Sequence, residues 1–595
     1  MPFSSPLLRS LLLWGARIAA ILAVSVLATA ALLPYDAWPD THEDLRYQFL
    51  TALFAESLAA GYWYPRWLPE MAGGYGYPTF VFYQPGFFFC AAGWMQLTGS
   101  PSAATYCTVL SFLCVGAIGA YLVGRELGDE WTGVFAAALL LLTPYLYVNL
   151  LVRGDLSELA AMLLVPWLLL FPVRIVRRIE ASQSVSLDGG GLGLVLAAMV
   201  YCHPMVALLA SGMLVVLAVA LAVQRLPPRP LLVAIGQAGL VTAGLSIFYA
   251  LPLVQMSKYV DFADAISGYY TPSDHVVYPL QYFQTGWGFG GSKAGTGDGM
   301  SFQLGLPHAA IAIAGLIAAR HDRLSRSLMA AYLVLVIGAT PLFGWLWDAV
   351  FPLRVVQFPW RILSLTAALQ AALAAGIHKW MPKEPQFKLA AYLLLIVMVV
   401  YWSMPQFIAS QERNYGVDAW VRERQARQLA EMITFTGADE FRPRTAIGLR
   451  QQPPRGNRPI VEVVGNRRIE PAAGHSSHRI SYQIAAGPPS EVIIHQAYLP
   501  GWHVELSGRT IPAAQLQEGL TADGRMSIVV ESSGEQSLLA YYDGPPGGTA
   551  RAVACVLLLC GFVAMAIAER RRLPPQPVDS KASEPPQPAR PKSKR

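Results

Sequence analysis

The sequence predicts an all-α polytopic membrane protein of about twelve transmembrane helices, with a small extracytoplasmic β-sandwich near the C-terminus. Three observations predict it. Of 595 residues, 54% are apolar and 14% charged, against roughly 25% charged in soluble domains. Many apolar windows reach the about 20 residues that cross a hydrocarbon core about 30 Å thick. From Arg479 onward, short alternating runs separated by Pro and Gly carry the period of half-buried strands.

The first apolar window, residues 8–33, contains Arg9 and Arg17 and ends near Ala28-Thr29-Ala30, features shared with cleaved signals. It is long enough to span and reads as an uncleaved first helix. The formal charge of +6 matters less than its placement, because short cytoplasmic loops retain Lys and Arg. With the N-terminus inside, residues 34–77 emerge outside. Counting 78–97 as a span would put Arg174, Arg177, Arg178, Arg225 and Arg229 outside. Laying it in the outer interface, as its aromatics and Pro85 allow, returns every later basic loop to the inside.

Spans are then expected near 103–123, 131–149, 157–173, 189–203, 204–223, 231–252, 302–320, 327–347, 359–378, 388–404 and 549–568. Both termini are cytoplasmic in this reading, in a bacterial inner membrane. Residues 1–404 form the membrane domain, with outer loops at 34–101 and 252–301, and residues 405–548 a β-rich outer domain. Residues 549–568 are the last span, and the Pro-, Ser- and Lys-rich tail 569–595 is expected to be disordered. The six cysteines fall in or beside apolar windows without zinc-ligand spacing, and read as packing residues.

The polar residues gather on the outer face. The first outer loop opens Asp40-Thr41-His42-Glu43-Asp44-Leu45-Arg46. On a short helix Asp40 and Asp44 would share a face at i,i+4, able to hold a general base or a divalent cation; a solvated charged turn accounts for the same residues. Arg66 sits among aromatics that suit a headgroup belt, where it could pair with a lipid phosphate. In Arg153-Gly154-Asp155-Leu156-Ser157-Glu158, Glu158 enters an apolar span and needs a water-filled cavity or a partner. His203 stands in a His-Pro turn that ends one helix and exposes the ring. The Gly-rich run 287–293 lacks the P-loop pattern and reads as a mobile flap. Arg354 and Arg361 flank Gln357 on a side where positives are scarce, which calls for an anionic partner, either a lipid phosphate or a structural salt bridge.

The motifs Gly-x-x-Tyr-Pro-Arg-Trp, Gly-Tyr-Gly-Tyr-Pro-x-Phe-x-Phe-Tyr-x-Pro, Arg-Gly-x-x-x-Glu and Gln-Phe-Pro-Trp-Arg resemble the bacterial membrane proteins called 6-pyruvoyl-tetrahydropterin synthase-related. They are also similar to the YfhO-like proteins and, through them, to GT-C glycosyltransferases, over about residues 30–550. The family name carries no pterin-synthase zinc site, since no histidine cluster here could copy one. The resemblance implies a GT-C-like fold with interfacial helices after the first span. It implies a polyprenyl-phosphate-linked sugar donor, an acidic residue of the first outer loop at the reacting centre, and a glycan, lipid or protein acceptor. Asp44 matches that acid best and Asp40 second, and Asp155 or Glu158 matches a second acidic position. Many relatives carry a second His just after the acid, where this chain has Gln48. A divalent metal is the one cofactor considered, and no nucleic-acid partner is expected.

The expected activity is inverting transfer of a sugar from the lipid carrier to an acceptor on the outer face. Asp44 or Asp40 would be the base. His42, Arg66, Arg153, Asp155, Glu158, His203, Gln357, Arg354 and Arg361 would bind substrate. The alternative is a non-catalytic transporter of lipid-linked glycans or an assembly partner. A transporter places polar residues near the midplane, whereas here they cluster at one face.

Overall fold

Helix boundaries follow from short polar caps in the loops. Ser100 Oγ accepts from the Ala103 N–H at 3.1 Å and Pro101 fills the first turn, so the helix Pro101–Leu127 starts there. Asp129 caps Glu130–Leu141, and Asp155 caps Leu156–Glu180, in the same way. The computed structural model describes residues 19, 22–26, 28–29, 32, 38–43, 45–261, 266–407, 416–427 and 441–572.

Seven helices among these are long and apolar enough to cross a bilayer: Pro101–Leu127, Leu156–Glu180, Pro204–Val223, Pro228–Tyr259, Pro359–Trp380, Pro385–Gln406 and Gly548–Met565. Two bent pairs raise the number to nine: Glu130–Leu141 with Pro144–Arg153, at 45°, and Arg323–Gly338 with Pro341–Ala349, at 78°. Each break precedes a proline, which cannot donate back into the preceding turn. Ser186–Cys202 and Leu306–Ala318, expected as spans near 189–203 and 302–320, have 17 and 13 residues, short of the about 20 a bilayer needs. The expected first span, 8–33, lies mostly outside the described residues, as does the tail beyond Arg572. Pro359–Trp380 is buried along its length while Gly548–Met565 is almost wholly exposed. The former is therefore interior to the bundle and the latter peripheral.

The segment 78–97 breaks into Thr79–Phe82 and Gly86–Thr98, of 4 and 13 residues, too short to span. Aromatics expected to form a belt are core instead: Tyr75, Tyr77, Phe80, Phe87 and Phe88 are fully buried, and Tyr47 stacks on Phe88 with ring centroids 5.5 Å apart.

The C-terminal region holds two antiparallel sheets. Numbering the strands in order, β1 is Val461–Val464, β2 Ile469–Pro471, β3 Arg479–Ile484, β4 Ser490–Ala497, β5 Trp502–Leu506, β6 Arg509–Thr510, β7 Arg525–Val530 and β8 Gln536–Tyr542. One sheet runs β1-β4-β7 and the other β2-β3-β8-β5-β6. The alternating runs read from the sequence lie within β3, β4, β5 and β7. The other four carry weaker alternation, and the region also contains the helix Val417–Arg427.

Backbone and side-chain bonds join these sheets to the first outer loop. Trp67 Nε1 donates to Gln496 Oε1 at 2.7 Å, and Gln496 Nε2 donates to the Gly74 and Pro69 carbonyls at 2.9 and 3.1 Å. The Ala497 N–H donates to the Tyr75 carbonyl at 2.7 Å. Gly76, at φ +81°, lies so close that a Cβ there would stand 2.3 Å from both Gln496 Oε1 and Trp67 Nε1. Gln496→Leu leaves the buried Trp67 N–H and the Pro69 carbonyl without these partners, at about 1–3 kcal/mol each, while the Gly74 carbonyl keeps its bond from Arg455 Nε. Thermal unfolding of the purified protein is expected to shift down accordingly, with faster proteolysis between residues 427 and 460.

Candidate functional site: a buried ion lattice beneath an outer cavity

Two outer loops meet through their backbones. The N–H groups of His42 and Glu43 donate to the carbonyls of Val152 and Arg153, both at 3.0 Å. The crossing requires glycine at 154: its φ is +68°, and a Cβ would stand 2.2 Å from Thr41 Oγ1. Tyr47 strengthens the junction by donating to Asp155 Oδ1 at 3.0 Å while accepting from the Ser157 N–H at 3.0 Å.

Beneath this junction four charges are buried together. Glu158, on the first turn of Leu156–Glu180, is fully enclosed. Its Oε2 takes Arg153 Nη1 at 2.8 Å and Arg361 Nε at 3.0 Å, and its Oε1 accepts from Tyr145 at 2.6 Å and Ser364 at 2.9 Å. Asp155 Oδ2 accepts from Arg153 Nη2 at 2.9 Å, with Arg361 Nη2 at 4.0 Å, and its Oδ1 caps the Glu158 N–H at 3.0 Å. Arg153 also bonds Asn149 and lies over Trp360, 4.6 Å from the ring centroid. The set balances two carboxylates with two guanidiniums, as a charge in an apolar span requires. The sequence motif Gln-Phe-Pro-Trp-Arg supplies Arg361 from a distant helix, and Gln357, at φ +67°, accepts from Arg361 Nη1 at 3.2 Å.

Asp155, Glu158 and His203 place one ligand atom each within 4.8 Å of one another, the one three-residue group of metal-ligand types among the described residues. The donor set does not fit a divalent cation. All four carboxylate oxygens already accept from guanidinium, hydroxyl or backbone donors, and a metal would add positive charge between two arginines. His203 differs from expectation in being buried rather than exposed. Its Nδ1 accepts from the Val206 N–H at 3.2 Å, capping the helix Pro204–Val223, and its Nε2 lies 3.8 Å from Asp155 Oδ2.

Above the lattice opens a cavity of about 870 Å³ whose wall includes His42, Arg153, Asp155, His203, Gln357 and Arg361. Six of the residues singled out in the sequence are thus brought together, with Glu158 directly behind them. Arg66 is not among the lining residues: its guanidinium stacks 4.3 Å from the Tyr64 centroid and 4.6 Å from that of Phe248. Arg354 donates to the Ile266 carbonyl at 3.2 Å and is likewise absent from the wall. Asp40 is exposed and precedes the helix Arg46–Ala59, so no helical face carries it. Asp44 lies outside the described residues. The Gly-rich run expected as a mobile flap is a tied hairpin. The Gly290 N–H donates to the Gly299 carbonyl and the Gly299 N–H to the Gly291 carbonyl, and Asp298 accepts from Ser292, Lys293 and Gln281 at 2.7–2.9 Å.

The cavity also takes in residues to which the sequence reading gives no role: Glu43, Arg46, Lys258 and Arg444. Glu43 and Arg46 belong to the charged run that opens the first outer loop, and Arg444 lies within the expected β-rich domain. Burial raises the Glu43 carboxyl above its ordinary value, against the pull of its ion-pair partner Arg46. Partial desolvation at the cavity wall also lowers the His42 imidazole from its ordinary value, opposed by its bond to the Phe289 carbonyl at 3.0 Å.

Residues 80–410, more than half of the chain, match the family described as "6-pyruvoyl-tetrahydropterin synthase related domain; membrane protein". The chain belongs to that family. No curated protein matches it. Among solved structures, it is similar to the arabinofuranosyltransferase AftD from Mycobacteria, at 16% identity over 66% of this chain and 28% of that one, TM-score 0.43. It is similar to the archaeal oligosaccharyltransferase AglB from Archaeoglobus fulgidus, solved with an inhibitory peptide and a dolichol-phosphate, at 13% identity over 72% and 61%, TM-score 0.45. It is also similar to the arabinosyltransferase EmbB from Mycobacterium smegmatis, at 11% identity over 88% and 64%, TM-score 0.30. The chain spans less than two thirds of the length of each of these proteins.

For this family member the lattice sets a stability expectation. Glu158→Gln leaves two buried guanidiniums sharing one carboxylate and is expected to cost about 3–5 kcal/mol. Adding Arg361→Met to that variant removes one uncompensated charge and should recover part of the loss. A double-mutant cycle read by thermal unfolding measures both.

Proposed function

We propose that the protein is an inverting, GT-C-type glycosyltransferase that moves a sugar from a polyprenyl-phosphate-linked donor to an acceptor on the outer face of a bacterial inner membrane. One observation carries this reading: the cavity is built for an anionic amphiphile. Its charged lining comprises five cations, Arg46, Arg153, Lys258, Arg361 and Arg444, against two carboxylates, Glu43 and Asp155. Its other wall is apolar and includes Leu208, Val254 and Phe351, each exposed at the outside of the bundle. A phosphate suits the first wall, and a prenyl tail leaving sideways into lipid suits the second.

In the reaction, a carboxylate takes the proton of the acceptor hydroxyl, the oxygen attacks the anomeric carbon from the face opposite the phosphate, and the carrier phosphate leaves with the bonding electrons. Asp44 is the proposed base, with Asp40 second by sequence and Glu43 a further candidate because it lines the cavity. Arg153 and Arg361 are committed to carboxylates, so the leaving phosphate falls to Lys258 and Arg444 at the rim, with Arg361 behind them. Arg66 and Arg354, being outside the wall, take no part. The polar groups lie at one end of the helices, which favours transfer over transport.

Replacing the base by its amide, Asp44→Asn or Glu43→Gln, is expected to lower transfer about 10²–10⁴-fold for the residue that acts. The pH profile separates the two. A base must be ionised, so the rate falls as pH drops through its pKa; if Glu43 acts, that acid limb lies above the ordinary carboxylate range and vanishes in Glu43→Gln. Lys258→Ala and Arg444→Ala remove donors to the leaving group, each worth on the order of 10²-fold if aimed at it. Arg323→Ala, which breaks only an exposed pair with Glu180, should leave transfer unchanged. Wild-type turnover in Asp44→Asn, Asp40→Asn and Glu43→Gln alike would remove the first loop from the chemistry.

The accompanying topology adds the expected first helix and the short helices Ser186–Cys202 and Leu306–Ala318 to the nine long or bent spans, twelve in all, with both termini cytoplasmic. Cysteines placed near Thr41, Gly291 and Gly474 should label from outside, and those near Asp129 and Arg323 only from inside. Labelling at 291 from the cytoplasm would contradict this orientation.

A further inference from the structure

A second recess, of about 630 Å³, lies on the other side of the tied hairpin, lined among others by Gln281, Gln284, Trp287, Thr296 and Asp298. It is separate from the first cavity but adjoins it, because Met300 contributes to both walls. Asp298 links the two as well: its Oδ2 accepts from Gln281 on the side of the recess, and its Oδ1 accepts from Ser292, which lines the first cavity.

The chemistry of the two recesses is opposite. The first is rich in cations, whereas the second has no Lys, Arg or His in its lining and a single carboxylate, Asp298. That composition disfavours phosphates, nucleotides and acidic polymers. It offers the carboxamide of Gln284, hydroxyls and a carboxylate, all groups that bond hydroxyls. Beside them stands the half-buried indole of Trp287. A flat aromatic face beside amide and carboxylate groups matches a neutral sugar, which presents a face of C–H bonds and a rim of hydroxyls. Gly288 and Gly290 pack against Gly299 so tightly that a Cβ at Gly288 would stand 2.4 Å from the Gly299 carbonyl oxygen. The two arms of the hairpin therefore lie in close contact.

We propose that this recess binds a neutral oligosaccharide, and that its occupant is the acceptor chain, held with its end directed toward the cavity. The acceptor role rests on the transferase reading; the binding of a glycan does not.

The test uses the full chain in lipid nanodiscs free of sugar detergents, and maltohexaose, mannohexaose and galactohexaose as probes, with hexagalacturonate as an anionic control. Saturation-transfer NMR is expected to show contact for at least one neutral hexasaccharide and not for the control. Trp287→Ala should weaken binding about tenfold through loss of the aromatic face, with Trp287→Phe keeping most of it and guarding against a folding defect. Asp44→Asn should leave the signal intact. No signal from any neutral probe at millimolar concentration, or equal signals in wild type and Trp287→Ala, would overturn the site. If transfer is absent but the signal follows Trp287, the glycan site stands and the transferase reading fails. If transfer proceeds but the signal is missing, the reverse holds.

Discussion

Two guanidiniums and two carboxylates share one buried volume at the outer end of the bundle, and each makes the others tolerable. Glu158 alone in an apolar span would be prohibitively costly, and Arg153 or Arg361 alone would be no cheaper. Together, with Tyr145, Ser364 and Tyr47 occupying the remaining lone pairs, they form a neutral, saturated cluster. Arg153, Asp155 and Glu158 come from one stretch, the end of the segment from Pro144 and the start of the helix from Leu156, whereas Arg361 comes from a turn 203 positions beyond Glu158. The cluster thus fixes where these elements meet, and the cavity is the space left above them.

The same saturation decides what the site can hold. A cluster whose carboxylates are fully engaged has no ligand to give a metal ion, although Asp155, Glu158 and His203 are of the right types and close enough. It can instead keep two arginines rigidly placed beside a cavity whose rim carries Lys258 and Arg444. Preorganised cations of this kind need no rearrangement when an anion arrives, which is the condition under which such groups stabilise developing charge most effectively.

The two sheets extend the design beyond the helices. They are held to the first loop by Gln496 and by the backbone of β4, and that loop in turn donates from His42 and Glu43 to the carbonyls beside Arg153. The first loop therefore contacts both the β region and the ion lattice, with aromatic rings packed along it. Rings that would suit a membrane belt by composition are consumed by this packing.

By itself the sequence determined the class, because about 20 apolar residues in a row have few stable places other than a bilayer, and alternation at period two has few outlets other than a sheet. It also determined that Glu158 and Arg361 needed partners, since neither charge is tolerable alone where the apolar pattern puts it. Only the tertiary structure decided that they are each other's partners, because 203 positions separate them and no local rule spans that distance. It decided likewise that Arg66 stacks on Tyr64 and Phe248 away from the cavity, that His203 is an enclosed helix cap, and that Arg444 reaches the rim from beyond the bundle. Periodicity reports which side of an element is apolar. Which elements face one another is set by packing the whole chain, and the site exists only where they do.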